Sequence, residues 1–308
     1  HFAERLSDDL GAKVSLERLE FSPFTNVALH GILIFDQAGD TLIAADKISL
    51  GIRRLNFQNS KFRFSDLELY RADFRLRRID TTGTDNLRFI TDYFSGGSGE
   101  GSGPFVLTVS DVSMHECRFS YRNPFAPAAI SPAAINLNDL EVKDINGRFG
   151  DFTTGGDTIR FHAEAFSFRE KSGFGLERLH ADTEVTPGGV TLEDMILDTK
   201  RSNVEGRFAM RHEQWTDYNH FTSSVKLDAD FNNSLIHFSD IARFVPLMPE
   251  NEFSLRITGA VKGTVSDLRG RDLYVTSGER TIFRGNFDML GLPDFDNTFI
   301  DLRINQLS

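Results

Sequence analysis

Cysteine is almost absent. Cys117 stands alone, so no internal disulfide can form and no cysteine-built metal site is available. A single thiol fits the cytosol or a periplasmic protein that needs no bridges. No run approaches the ~18–20 consecutive apolar residues of a membrane-spanning helix, and no segment has the layout of a signal peptide. Positive charge is in deficit: 34 Lys and Arg face 45 Asp and Glu, leaving a net charge of −11. A phosphate backbone repels such a surface, which argues against a nucleic-acid partner. The basic cluster Arg71–Arg78 (RADFRLRR) interleaves with apolar positions, as strand residues do.

Motifs that carry chemistry are also missing. The eight histidines (1, 30, 115, 162, 180, 212, 220 and 237) show no H-x-H, H-x-x-x-H or HExxH spacing, so no metal site is expected. There is no G-x-S-x-G. Ser223–Lys226 matches S-x-x-K, but it reads as the start of a strand, where the lysine would not sit one helical turn from the serine. Gly96–Gly103 (GGSGEGSG) lacks the Lys-Ser/Thr ending of a phosphate loop and reads as a linker. No calcium-loop spacing occurs, and Asp36 and Asp40 read as turn residues. The expectation is a protein with no catalytic constellation and no cofactor.

What the chain does have is phenylalanine. It occurs 29 times in 308 residues, against one Trp and five Tyr. Phe favours strands and buries apolar area with no polar atom in need of a partner. With 40% hydrophobic and 26% charged residues the composition is that of a folded chain.

The spacing of apolar residues predicts a mainly β protein with a few short helices. Phe2, Leu6 and Leu10 have helical spacing, with Gly11 as a stop. Val14–Phe21 nearly alternates, with one slip that suggests a bulge. Val27–Phe35 and Leu42–Ile52 flank a turn at Asp36–Asp40. Three segments then resemble one another: Ser65–Arg78, Ser110–Arg122 and Asn138–Phe149. Each reads as a strand, a short polar break and a second strand. Their unequal separations argue against a strict solenoid and for hairpins with variable loops. Further strands are expected at 158–168, 176–185, 190–197, 204–210, 223–231, 252–258, 272–276, 281–289 and 298–304. Short helices are expected at 85–94 and at 235–245, the latter ended by Pro246. The division expected is residues 1–95, a linker at 96–103, and 104–308. The opening at His1 and the strand-like close suggest a piece of something longer.

So many strands with so few helices leave one apolar sheet face to be buried. It must pack on itself, on a second sheet or on a ligand. The pattern alone leaves open a closed β-sandwich, serving as a spacer or binding module, or an open groove. A glycan hydrolase on a β-scaffold is the third reading.

Several stretches together resemble the TamB/AsmA-like family. In the N-terminal third they are Gly11–Phe21 (GAKVSLERLEF), Val27–Leu50, the Asp66–Arg77 strand pair and Thr82–Phe89 (TGTDNLRF). Toward the C-terminus they are Ile241–Pro246 (IARFVP), Ile257–Leu268 (ITGAVKGTVSDL), Gly270–Tyr274 (GRDLY), Thr281–Gly285 (TIFRG) and Met289–Leu302 (MLGLPDFDNTFIDL). Their order carries the likeness; the middle, Pro104–Thr222, matches only in strand style. The resemblance implies a periplasmic body in a parent anchored to the inner membrane. Its fold would be a long antiparallel, curved, taco-like β-groove. The groove would take phospholipid acyl chains between membranes or assist outer-membrane protein assembly. A barrel partner would bind through a region absent here. The residues expected to face lipid are Leu67, Leu69, Phe74, Leu76, Val112, Met114, Phe119 and Leu140.

Overall fold

The computed structural model describes residues 2–22, 26–56, 61–94, 106–127, 131, 133–245, 252–278 and 281–307. The protein is mainly β, largely antiparallel, with a few short helices. Its contacts divide it into two compact units. One comprises 1–127 and 136–171, the other 128–135 and 172–308.

The first unit opens with α1 (Phe2–Leu10), as the helical spacing predicts. Nine strands follow: β1 (Val14–Ser15), β2 (Arg18–Ser22), β3 (Asn26–Phe35), β4 (Thr41–Asn56), β5 (Lys61–Tyr70), β6 (Asp73–Arg77), β7 (Val106–Arg122), β8 (Asp139–Gly155) and β9 (Thr158–Glu170). A second helix, α2 (Arg88–Phe94), lies between β6 and β7. Strands β1 and β2 both pair with β3, so the expected slip is the gap at Leu16–Glu17. From β3 to β9 the neighbours are antiparallel with one exception. Strands β5 and β6 both run parallel to β7, which starts at Val106 beside Lys61, the first residue of β5. The linker expected at 96–103 lies outside the described residues, and β5 and β7, on either side of it, pair directly within this unit. Leu10, Ala12 and Val14 are buried with Leu6, Ile34, Phe89 and Ile90 around them, which fixes both helices against one end of the sheet.

The second unit is a meander of eight antiparallel strands. They are β10 (Gly175–Thr186), β11 (Gly189–Thr199), β12 (Asn203–Arg211), β13 (Lys226–His237), β14 (Ser254–Thr264), β15 (Asp267–Ser277), β16 (Thr281–Leu290) and β17 (Phe299–Leu307). The segment at 128–135 belongs here because Ile135 N donates to Arg243 O at 2.7 Å and the Arg243 guanidinium reaches Ala133 O and Ser172 O.

Two expectations need correction. The helix expected at 235–245 is confined to α4 (Phe238–Ile241). Leu235 and Ile236 still belong to β13, opposite Arg256 and Leu255, because cross-strand bonding overrides their helical spacing. Ser223 lies in α3 (Phe221–Ser224), not at the start of a strand, and Lys226 opens β13.

The polar breaks at 116 and 144 are not breaks either. Each lies inside one continuous 17-residue strand, β7 or β8. At both points a single residue takes left-handed backbone angles and the strand continues. The same device recurs at Arg71, Glu116, Asp144, Asp194, Asn233 and Asp272, with φ from +47° to +54°, and at Gly31 with φ +60°. At most of these points the pairing register shifts, the mark of a β-bulge. After each of these the next side chain is buried: Ile32, Ala72, Cys117, Ile145, Met195, Ser234 and Leu273 are 0–6% exposed; after Asp151, which also takes φ +51° inside β8, the next side chain, Phe152, is only partly buried. Side chains alternate along a strand, so a plain strand would turn these residues to the opposite face. The extra residue returns them to the face they left. Apolar positions therefore follow an i, i+2, i+5, i+7 spacing: 67, 69, 72, 74 in β5–β6 and 112, 114, 117, 119 in β7. Opposite the bulges of the second unit stand Gly206 and Gly285, where a Cβ would collide with the carbonyls of Asp230 and Arg303.

Candidate functional site

Cross-strand registers place the apolar residues of the first unit in rows. One row runs Ile34–Ile43–Phe74–Phe119–Val142. The next is Leu29–Ile48–Leu69–Met114, and a third is Val27–Leu50–Leu67–Val112–Phe149. Between the first two lie the post-bulge residues Ile32, Ala72, Cys117 and Ile145, which with Ala45, Leu69 and Val142 form the buried floor. The structure thus brings the sequence-predicted residues together. Leu67, Leu69, Phe74, Met114, Phe119 and Leu140 belong to one cluster, Val112 adjoins Leu67 in register, and Leu76 and Leu140 both pair with Tyr121.

The depth of these side chains matters more than their grouping. Leu69 and Val112 are buried at 8% exposure; Leu67, Phe74, Leu76, Met114, Phe119 and Leu140 are only half-buried. Phenylalanine follows suit. Among the phenylalanines whose side chains are described, only Phe62 and Phe174 are buried. A sheet sealed by a second sheet buries its inner rings; here the aliphatic Ile32, Leu69 and Ile145 are buried with Ala72 and Cys117, while the rings of Phe74, Phe119, Phe149, Phe166 and Phe168 stay partly uncovered.

Sequence reasoning missed part of this face. Phe149, Phe161, Phe166 and Phe168 extend it, with ring centroids 5.2–5.5 Å apart from Phe149 to Phe161 and Phe166 and from Phe166 to Phe168. The signal was present in the alternation of β9, Phe166 and Phe168 being two residues apart. Cys117 was read only as a lone thiol. It is fully buried in the floor, with Sγ 3.5 Å from Leu69 O, and burial pushes its pKa up.

The opposite face is polar. His30, Lys47, Tyr70 and His115 form a cross-strand row. The Tyr70 and His115 rings stack at 4.5 Å, and His30 Nε2 lies 3.1 Å from Glu20. Arg71 bonds Asp46 through Nε at 2.6 Å. His30, Asp46, Lys47, Tyr70 and Arg71 line a shallow, open depression together with Glu17 and Arg18. In the second unit Arg207 reaches Glu193 at 2.8 Å and Asp228 at 3.5 Å, and Lys262 reaches Asp228 at 3.1 Å. This ladder ties four strands together on the solvent side.

One group of side chains has the residue types of a hydrolase relay. His237 Nδ1 is 2.7 Å from Ser239 Oγ, with Asp240 beside them in sequence. The bonds run otherwise. Ser239 N also points at His237 Nδ1, at 3.3 Å, so the imidazole caps α4. Asp240 accepts from Thr199 Oγ1 and Ser202 Oγ, both at 2.6 Å, and fastens α4 to the β11–β12 turn. Among the described residues no three His, Cys, Asp or Glu side chains converge to hold a metal ion. Among the described residues no helix is long and apolar enough to cross a membrane.

No family model matches the chain, and no curated protein matches it in sequence.

Proposed function

We propose that the apolar face of the first unit holds phospholipid acyl chains, as in a conduit of the TamB type. The supporting observation is the partial burial of most of the large apolar side chains in the rows, above the buried floor of Ile32, Ala45, Leu69, Ala72, Cys117, Val142 and Ile145. A hydrocarbon chain laid along those rows covers what the protein leaves uncovered. Each CH₂ moved from water onto such a surface gains about 0.8 kcal/mol, so one acyl chain outweighs the entropy of holding it. The rows present carbon and almost no hydrogen-bonding atoms, which lets a chain slide instead of lodging at one point. The aligned bulges suit the same role, since each bends its strand and a row of them creases the sheet.

In this reading the protein is a periplasmic body that moves phospholipid between the inner and outer membranes or assists outer-membrane protein assembly, without catalysis. The test is native mass spectrometry and lipid extraction of the purified chain. Co-purifying phospholipid, lost when Phe74 or Phe119 is replaced by Asp in a folded protein, is the expected result. A chain that emerges free of lipid and takes up no labelled phospholipid from vesicles sinks the proposal.

A further inference from the structure

The described part of the β4–β5 pair extends past β3, while β7 flanks β5 from its first residue, Lys61. Strand β3 opens at Asn26, opposite Gly51, while β4 continues to Asn56 with β5 as its partner. This extension carries Arg53, Arg54, Lys61 and Arg63, all exposed. Arg54 and Arg63 stand directly across from one another. Like charges so placed destabilise a strand pair. Among the described residues none of the four has a carboxylate within ion-pair distance, whereas Arg71, Arg75, Arg77, Arg122 and Arg148 all do. The carboxylate that follows along β5, Asp66, takes a hydrogen bond from Ser65 at 2.7 Å. Asp151 and Asp157 belong to the same end of the sheet, but at β8 and its turn into β9, two strands from β5. Four cations without a protein carboxylate on one hairpin, in a chain of net charge −11, make this a local positive patch that an external anion can neutralise.

We infer that the β4–β5 hairpin docks this end of the sheet on an anionic lipid bilayer through the headgroup phosphates. Two observations favour a bilayer over another polyanion. Apolar rows run up to the same end, Ile52–Phe64–Val109–Phe152 and Phe62–Leu107, and Phe21, 72% exposed, is the last but one residue of β2 there. A long polyanion would also meet the rest of a chain of net charge −11, whereas a bilayer can engage these four cations through local headgroup phosphates alone. The docking rests on the conduit reading for its purpose, since it would set the mouth of the apolar rows against the lipid source. It does not rest on that reading for its physics.

The experiment is co-sedimentation of the full chain with vesicles of phosphatidylcholine alone or containing phosphatidylglycerol, at rising salt, with labelled-phospholipid uptake measured in parallel. Binding is expected only to the anionic vesicles and should fall steeply with salt. The variant Arg53→Gln/Arg54→Gln/Lys61→Gln/Arg63→Gln should lose roughly tenfold or more in vesicle partitioning. The matched variant Arg118→Gln/Arg148→Gln/Arg169→Gln/Arg178→Gln removes the same charge elsewhere and should bind as the parent does. Equal binding to both vesicle types, insensitivity to salt, equal loss in both variants, or binding to heparin without binding to vesicles each overturns the docking. Lipid uptake without selective docking removes this inference alone, and docking without uptake removes the conduit alone.

Discussion

Asn286 Oδ1 accepts a hydrogen bond from the backbone N–H of Asp272 at 2.8 Å, one strand away. Asp272 is the left-handed residue of the β15 bulge, and the bulge takes its N–H out of the regular ladder. The same arrangement joins Glu116 N to Asn146 Oδ1 at 2.9 Å and Asn233 N to Thr258 Oγ1 at 3.0 Å. A side chain on the neighbouring strand thus satisfies the donor that the bulge displaces, and the residue after the bulge goes into the floor.

Removing the acceptor while keeping the bulge should therefore destabilise the strand pair. Asn146→Leu is expected to cost about 0.5–1.5 kcal/mol, the net worth of a hydrogen bond whose donor water can still reach. Glu116→Gly should act in the opposite sense, by up to about 1 kcal/mol, because glycine takes positive φ without a Cβ clash. Glu116→Val should destabilise by more than either. Urea unfolding of the three variants tests the ordering; a Val variant as stable as the parent would contradict it.

Phe119 is the residue where the acyl-chain proposal is most exposed to test. It is half-buried between Phe74 and Val142 in the first row. Phe119→Leu should keep most lipid capacity. Phe119→Asp places a charge on the hydrocarbon path and should cut bound phospholipid at least fivefold, from about 1–3 kcal/mol of lost apolar contact. Native mass spectrometry reads the ratio, with circular dichroism as the check on folding.

Asp36 makes stability depend on acid pH. Its carboxylate is buried, which by itself raises its pKa, but hydrogen bonds from Asn86, Asp40 N, Arg77 and Ala38 N outweigh burial and hold the pKa below the usual carboxylate value. Arg77 lies 2.9 Å away. A depressed folded pKa adds stability that is present above the unfolded value of 3.8 and is lost as pH falls through the lower folded one. Asp36→Asn should flatten the pH dependence below about pH 4 and cost about 2 kcal/mol at neutral pH. Thermal melts from pH 3 to 7 provide the comparison.

Cys117 should be silent in the folded state. Burial raises its pKa, so at neutral pH it holds less thiolate than an ordinary cysteine, and no reagent reaches a side chain of 0% exposure. A thiol-reactive dye should label it at the rate at which the first unit opens and faster in denaturant. Rapid labelling of the native protein would show the floor to be open.

The strands and the terminal helix lie close to where alternation and helical spacing place them, and six of the eight residues expected on the apolar face stand in the three rows, with Leu76 and Leu140 just outside. The bulges were not legible in the same way. Tyr70-Arg71-Ala72, His115-Glu116-Cys117 and Lys143-Asp144-Ile145 share no residue type that announces left-handed backbone. Arg71 and Glu116 are poor candidates for it by propensity. The spacing i, i+2, i+5, i+7 held the information, but a gap of three also fits a turn between two strands. Only the continuity of pairing on both sides of the gap separates the two.

By itself the amino-acid order determined that this chain makes β-strands with one apolar face, since alternation and phenylalanine content are local properties that each strand carries alone. The tertiary structure decided which residues form the floor, that β5 and β6 run parallel to β7, and that most of the large rings remain half-covered. Those outcomes depend on which strands meet and in what register, and register is settled by many weak contacts between residues distant in the chain. The loss of one residue from a bulge would turn every later side chain of that strand to the other face, which is why the fold shows what the order alone does not.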